Sequence, residues 1–156
     1  MKANAIKRWV IYPCLGILLS VCLINCSSDD SNNDNTLNEQ LVQNTIGSNW
    51  IISNYIDSGQ NETSDYSGYI FQFNSNGNVI AQKGDVTING TWSITSEDDD
   101  SQDHMHFNLS FNVPEDHDFD DLIDDWHVMN FSNSRIDLED DSSGSGDIDL
   151  LTFSKA

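Results

Sequence analysis

From Trp50 onward, large apolar and small polar side chains alternate in short runs broken by Gly, Asn, Asp and Ser. A period of two is the mark of strands with one buried face. Eight such runs can be drawn, at 50–57, 68–73, 79–83, 86–94, 104–111, 126–131, 135–139 and 148–153. Asn76-Gly77 after the second run and Lys83-Gly84-Asp85 after the third are tight hairpin signals, and Asn133-Ser134 leaves room for little more than a turn. Short sequential connections make a meander. One face carries Tyr69, Phe71 and Phe73, then Val86, Ile88, Trp92 and Ile94, then Met105, Phe107, Leu109 and Phe111, with Thr, Asn, Ser and Gln opposite. A curled antiparallel sheet whose edges meet satisfies this pattern and leaves no long strand edge exposed. The expected fold is all-β, an up-and-down barrel of about eight strands. A β-sandwich is the alternative, because alternation alone does not separate a curled sheet from two stacked ones.

Two stretches carry helical spacing instead. Thr36 and Glu39 form a capping box, Leu37, Leu41, Val42 and Ile46 share a face, and Gly47 suits the position after a helix end. One short helix therefore opens a domain spanning 36–156. Within the acidic stretch from Glu115 to Asp125, Phe119, Leu122 and Ile123 recur at helical spacing, which predicts a second short helix over one barrel end, before the sixth strand.

The opening 25 residues differ in kind. Lys2, Lys7 and Arg8 precede an apolar run from Trp9 to Ile24 that contains Pro13 and Gly16. It falls short of the roughly 20 apolar residues a spanning helix needs, so residues 1–25 read as an export signal absent from the mature protein. The run ends at Leu23-Ile24-Asn25-Cys26, which resembles the lipobox of bacterial lipoproteins, whose Cys is lipidated and becomes the mature N-terminus. Leu19-Ser20-Val21-Cys22 is a rival box, and the same run is compatible with an uncleaved anchor or an ordinary secretory signal. Cys26 is preferred because apolar character stops there and the polar tract Ser27 to Asn35 begins at once. Residues 26–35 are expected to form a disordered acidic tether. Its opening, Ser27-Ser28-Asp29-Asp30, resembles the acidic export tag of surface-exposed lipoproteins of the Bacteroidota. The implied place is the outer membrane, held by lipid and exposed at the cell surface, with a periplasm-facing orientation as the alternative.

Charge then removes whole classes of partner. The chain has 6 Lys+Arg against 26 Asp+Glu, a formal net charge of −20. Lys2, Lys7 and Arg8 precede Asp29, so the remainder sets all 26 acidic residues against three basic ones, a balance of −23. Such a surface repels phosphate backbones and anionic headgroups, which excludes nucleic acid as a partner and leaves a cationic protein partner compatible. Cys14 and Cys22 leave with the signal and Cys26 is the lipidation site, so the folded part has neither a disulfide nor a thiolate nucleophile.

Candidate chemistry is sparse. Asp98-Asp99-Asp100, Asp103, His104 and His106 combine carboxylates with two imidazoles on one strand face, a donor set for metals, but three consecutive aspartates more often form a solvated turn. Asp116-x-Asp118-x-Asp120 has the alternating acids of a calcium loop with Asp121 where Gly belongs, and Asp137-x-Glu139-x-Asp141 has Ser142 there. The reading therefore carries no metal and no cofactor. It carries no catalytic residue either, since nucleophile elbow, zinc-helix motif and phosphate loop are all missing, and only Lys83, Arg135 and Lys155 could meet an oxyanion. Arg135 could stack on a Trp at the barrel mouth, although pairing with an Asp is the more ordinary fate. Trp50, Phe71, Trp92, Phe107 and Trp126 are the candidate interior side chains. An eight-stranded barrel is wide enough only to be filled by such residues or to hold one small ligand among them.

Three runs carry a family resemblance: Trp50-Ile-Ile-Ser-Asn-Tyr55, Tyr69-Ile-Phe-Gln-Phe-Asn-Ser-Asn-Gly77 and Ile88-Asn-Gly-Thr-Trp-Ser-Ile94. Together they resemble the lipocalin-like domains of Bacteroidota lipoproteins, over most of Trp50 to Phe153. The Gly-x-Trp triplet of lipocalins belongs on the first strand, whereas Gly90-Thr91-Trp92 falls near the fourth. The resemblance implies a lipid-anchored, extracytoplasmic, non-catalytic domain that binds a small apolar molecule. The alternative is an acidic interaction module of the cell envelope with a filled barrel and no small-molecule ligand.

Overall fold

A computed structural model describes residues 32–96, 105–141 and 148–156. The expected signal, Cys26, most of the expected tether, Asp98–Asp100, Asp103, His104 and residues 142–147 lie outside them. Helix α1 (Asn32–Thr45) comes first, followed by β1 (Asn49–Asp57), β2 (Gln60–Asn61) and a 3-10 turn at Thr63–Tyr66. Seven strands follow: β3 (Ile70–Phe73), β4 (Asn78–Lys83), β5 (Val86–Ser96), β6 (Met105–Phe111), β7 (Asp125–Phe131), β8 (Arg135–Asp140) and β9 (Asp149–Lys155). α1 begins at Asn32, earlier than the Thr36–Glu39 box marks, and ends where Gly47 marks it. There the Ile46 N–H donates to the Val42 carbonyl at 3.0 Å and Gly47 takes φ +71°.

β3 to β9 pair in sequence order, and β1 pairs with both β3 and β9, so eight antiparallel strands close on themselves. The closing ladder runs from Trp50 opposite Lys155 to Ile56 opposite Leu150. β2 is a two-residue extension hydrogen-bonded to the end of β1. A continuous ring of ladders settles the choice between barrel and sandwich in favour of the barrel.

Alternation becomes burial wherever the ladder is regular. Phe71 and Phe73 on β3, Val79 and Ala81 on β4, Ile88 and Trp92 on β5, and Met105, Phe107, Leu109 and Phe111 on β6 all point inward and are buried. β1 and β7 each bulge, between Ile52 and Asn54 and between Val128 and Asn130, which lets Tyr55 rejoin the interior after Ile52. Gly90 is required by close approach. A Cβ there would overlap the Ser110 carbonyl oxygen and stand 2.7 Å from the Phe111 ring.

Two expectations need correction. Val86 is 52% exposed, because it pairs with Lys83 at the hairpin rim, beyond the filled part of the barrel. The stretch before β7 is a chain of turns and contains no helix. The N–H groups of His117, Asp120 and Ile123 donate to carbonyls only three residues back, at 3.1, 2.7 and 2.9 Å. An α-helix would use the Asp118 and Asp121 carbonyls for its own ladder, whereas here Tyr66 and Tyr55 donate to them at 2.6 and 3.0 Å.

Candidate functional site

All five candidate interior residues lie in one buried cluster. Trp92 stacks on Phe107 at 5.6 Å, and Phe107 continues to Phe153 at 6.2 Å. Phe153 meets the edge of Phe71 at 5.4 Å, and Phe71 stacks on Phe119 at 5.7 Å. Trp126 joins through Tyr55 at 6.4 Å, and Tyr55 meets Tyr66 at 5.3 Å. Trp50 stands apart from these rings, fully buried, with Lys155 Nζ 5.6 Å from its ring centroid. The barrel interior is thus a run of rings in offset-stacked and edge-on contact, the geometries aromatic quadrupoles prefer.

The polar edges of those rings have a consistent use. Each indole N–H donates to a main-chain carbonyl of a connecting segment: Trp50 to Thr45 at the end of α1, at 2.8 Å, and Trp92 to Asn74 in the β3–β4 turn, at 3.0 Å. Trp126 donates to Leu122 in the turn segment, at 3.1 Å. With the two tyrosine hydroxyls, five interior side chains pin the covers over the barrel. Leu41 of α1 is buried at one end and Phe119 and Leu122 at the other. Among the described residues, no buried side-chain nitrogen or oxygen lacks a hydrogen-bond partner. The interior therefore offers no spare polar group to orient a ligand. Tyr55 and Tyr66 are the neighbours that sequence reasoning missed; the clue available was polar-tipped aromatics on a barrel whose ends need covering.

Several surface depressions are bounded by described residues. A depression of about 230 Å³ sits between Gly47–Asn49 and Gln72–Asn74, and grooves lie along β5–β6 and β7–β8.

Negative charge concentrates at the end covered by the turn segment. Asp124 is pushed up to about 6, by burial first and then by the neighbouring Asp125 and Asp140 carboxyls, against the Asp125 N–H that favours its charged form. Asp121 and Glu62 are also raised, by desolvation and then by Asp57 and adjacent acids. Burial raises the Tyr55 and Tyr66 hydroxyls as well, which keeps both as donors.

The three cations of the folded part are each engaged. Lys83 lies 5.2 Å from the Tyr69 ring centroid, and Arg135 pairs with Asp137 at 2.7 Å. The cation over a Trp is Lys155, so the Arg135 stacking expectation gives way to the ordinary ion pair. His106, the described member of the His104/His106 pair, lies on the outer face of β6 beside His127 of β7, at 4.4 Å between ring centroids. Among the described residues, no group of three or more His, Cys, Asp and Glu is placed to hold a metal ion, the Asp116–Asp120 stretch included.

No family model and no curated protein matches the chain. Among solved structures, a DUF4847 family protein from Bacteroides vulgatus ATCC 8482 is similar, with a TM-score of 0.48 and 11% sequence identity, over 73% of this chain and 96% of that chain.

Proposed function

We propose that the protein is a non-catalytic module of the cell envelope, lipid-anchored at Cys26 to the outer membrane and exposed at the cell surface, which binds a cationic protein partner through its acidic barrel end. The observation that carries this reading is the interior itself. Trp50, Phe71, Trp92, Phe107 and Trp126 are engaged by neighbouring side chains and main-chain carbonyls, and both ends are pinned shut. A small apolar ligand would have to displace that packing, whereas a partner at the acidic end would meet Asp57, Glu62, Asp118, Asp121 and Asp124 directly. These carboxyls are raised by desolvation first and then by their neighbours' charge, and an incoming positive charge relieves the second cause, which favours a cationic surface and makes its capture salt-sensitive.

Titration with a fatty-acid probe, followed by Trp fluorescence, decides between this reading and the calyx reading. No saturable quenching is expected; saturable quenching with one site per chain returns the apolar ligand as the function. Capture from cell-envelope extract at low salt, lost at high salt, supports the acidic surface. Intact mass of the membrane-extracted protein tests the anchor: diacylglycerol and acyl mass on Cys26 is expected, and its absence overturns that part.

A further inference from the structure

Away from both barrel ends, β6 and β7 place two of the chain's four histidines side by side on the outer face. His106 and His127 are directly opposite in the ladder, with ring centroids 4.4 Å apart and planes at 64°. The His106 side chain is 13% exposed, so it is mostly covered, and His127 is half-buried beside it.

His106 Nδ1 lies 3.0 Å from the Asp125 main-chain carbonyl oxygen. A carbonyl only accepts, so in the neutral ring Nδ1 carries the hydrogen and the Nε2 lone pair is left for another ligand. This is the arrangement by which metal-binding imidazoles are oriented from behind. Two residues on from His127, and on the same face by alternation, Met129 is 53% exposed and is the unpaired residue of the β7 bulge. Met129 and His127 share a groove of about 270 Å³ with Val128 and Glu139. Glu139 is the cross-strand partner of His127, and an Asp125 carboxylate oxygen stands 3.9 Å from His106 Nδ1, so the neighbourhood is negatively charged.

Two imidazoles with a thioether are a borderline-to-soft donor set. It suits copper, whereas calcium takes oxygen ligands and a structural zinc site takes four donors of the His, Cys and carboxylate kind. No such oxygen- or nitrogen-rich cluster of three is placed here among the described residues, and a set completed by sulfur is a different one. We propose that His106, His127 and Met129 bind one copper(I) ion on the outer face of the β6–β7 ladder.

The test uses the full chain in detergent with Cys14→Ser, Cys22→Ser and Cys26→Ser, so that no thiol competes, titrated anaerobically with copper(I) against bicinchoninate. One copper per chain is expected to be withheld from the chelator. His106→Gln and His127→Gln abolish this, and Met129→Leu, which keeps the side chain's bulk, weakens it by about tenfold or more, the usual scale for perturbing a metal site. His117→Gln, at the acidic end, leaves it unchanged. Copper X-ray absorption is expected to show one sulfur neighbour that disappears in Met129→Leu. Copper surrendered fully to the chelator, equal affinity in His127→Gln, or zinc held as tightly as copper with Met129→Leu harmless each overturns the proposal. A urea midpoint for each variant equal to that of its parent separates loss of ligand from loss of fold.

Discussion

Phe119→Ala is expected to leave a cavity inside the barrel beneath the cover at its acidic end. The ring is 1% exposed and meets Tyr66 at 5.6 Å, Tyr69 at 4.9 Å, Phe71 at 5.7 Å and Phe111 at 5.0 Å between centroids. Truncating a buried Phe costs about 3–5 kcal/mol, transfer and cavity terms together. The lower end applies here, about 3 kcal/mol, because the site is at a barrel mouth where the cover can settle inward. That is a large share of the roughly 5–15 kcal/mol by which domains are stable. Yet the cover stays in place, since Tyr66 and Tyr55 hold it through its Asp118 and Asp121 carbonyls and not through the lost ring. Urea unfolding followed by Trp fluorescence measures the loss as a lower midpoint at unchanged slope. Dry apolar cavities of this kind bind benzene-sized molecules, so the variant should gain a saturable site for benzene or indole that the parent lacks. A loss under about 1 kcal/mol refutes the closure argument, and a parent that binds the probe as well as the variant refutes the filled interior.

Gly90→Ala should destabilise by about 1–3 kcal/mol despite replacing a strand glycine, because the added methyl meets the Ser110 carbonyl and the Phe111 ring; a raised thermal midpoint would contradict this. The raised carboxyls give a second expectation, with its sign fixed by linkage. A group whose pKa is higher folded than unfolded contributes stability that is full below its unfolded value and is lost as pH rises through the folded one. With Asp124 raised from its ordinary value to about 6 and Asp121 and Glu62 also raised, stability should fall as pH rises from about 4 to about 6. For a half-buried Asp124 the effect is about 1 kcal/mol after screening, and Asp124→Asn should flatten the thermal-midpoint profile over that range. Asp137 works oppositely. Burial opposes its charge, but hydrogen bonds from Arg135 and Thr152 outweigh that and lower its pKa, so its contribution holds above the usual Asp range and disappears in acid; Asp137→Asn should cost about 1 kcal/mol at pH 7, read by urea denaturation.

Most of the strand framework was legible because alternation is a local signal. Each of the eight expected runs contains a strand whose limits differ by at most two residues, and Asn76-Gly77 and Lys83-Gly84-Asp85 sit in hairpin turns. The helix expected at Phe119, Leu122 and Ile123 failed for a physical reason. Spacing identified Phe119 and Leu122 as buried, yet two tyrosines distant in sequence, Tyr55 and Tyr66, claim the carbonyls a helix needs. Neither these pins nor the place of Lys155 over Trp50 could be read from local pattern, because both follow from how the sheet closes and which segment covers each end. The His106–His127 pair was hidden likewise. It depends on the β6–β7 register, which follows the irregular 112–124 connection between them, whereas the nearer pair His104 and His106 was visible as i and i+2.

The distribution of polar contacts separates closure of the barrel from its charge. At the acidic end the cover is held by hydroxyl donors on main-chain carbonyls and by Phe119 and Leu122 buried beneath it, none of which changes charge in the physiological range. The carboxyls around it repel one another and are held only as strongly as that scaffold allows. Salt or a cationic partner should therefore raise the thermal midpoint by screening the carboxyls, without altering accessibility of the interior to an apolar probe. Tyr66→Phe should do the reverse, loosening the cover through the orphaned Asp118 carbonyl while leaving the acidic surface and its salt response intact. If salt alone were found to gate probe entry, closure would depend on charge and the tyrosine pins would not be what holds the barrel shut.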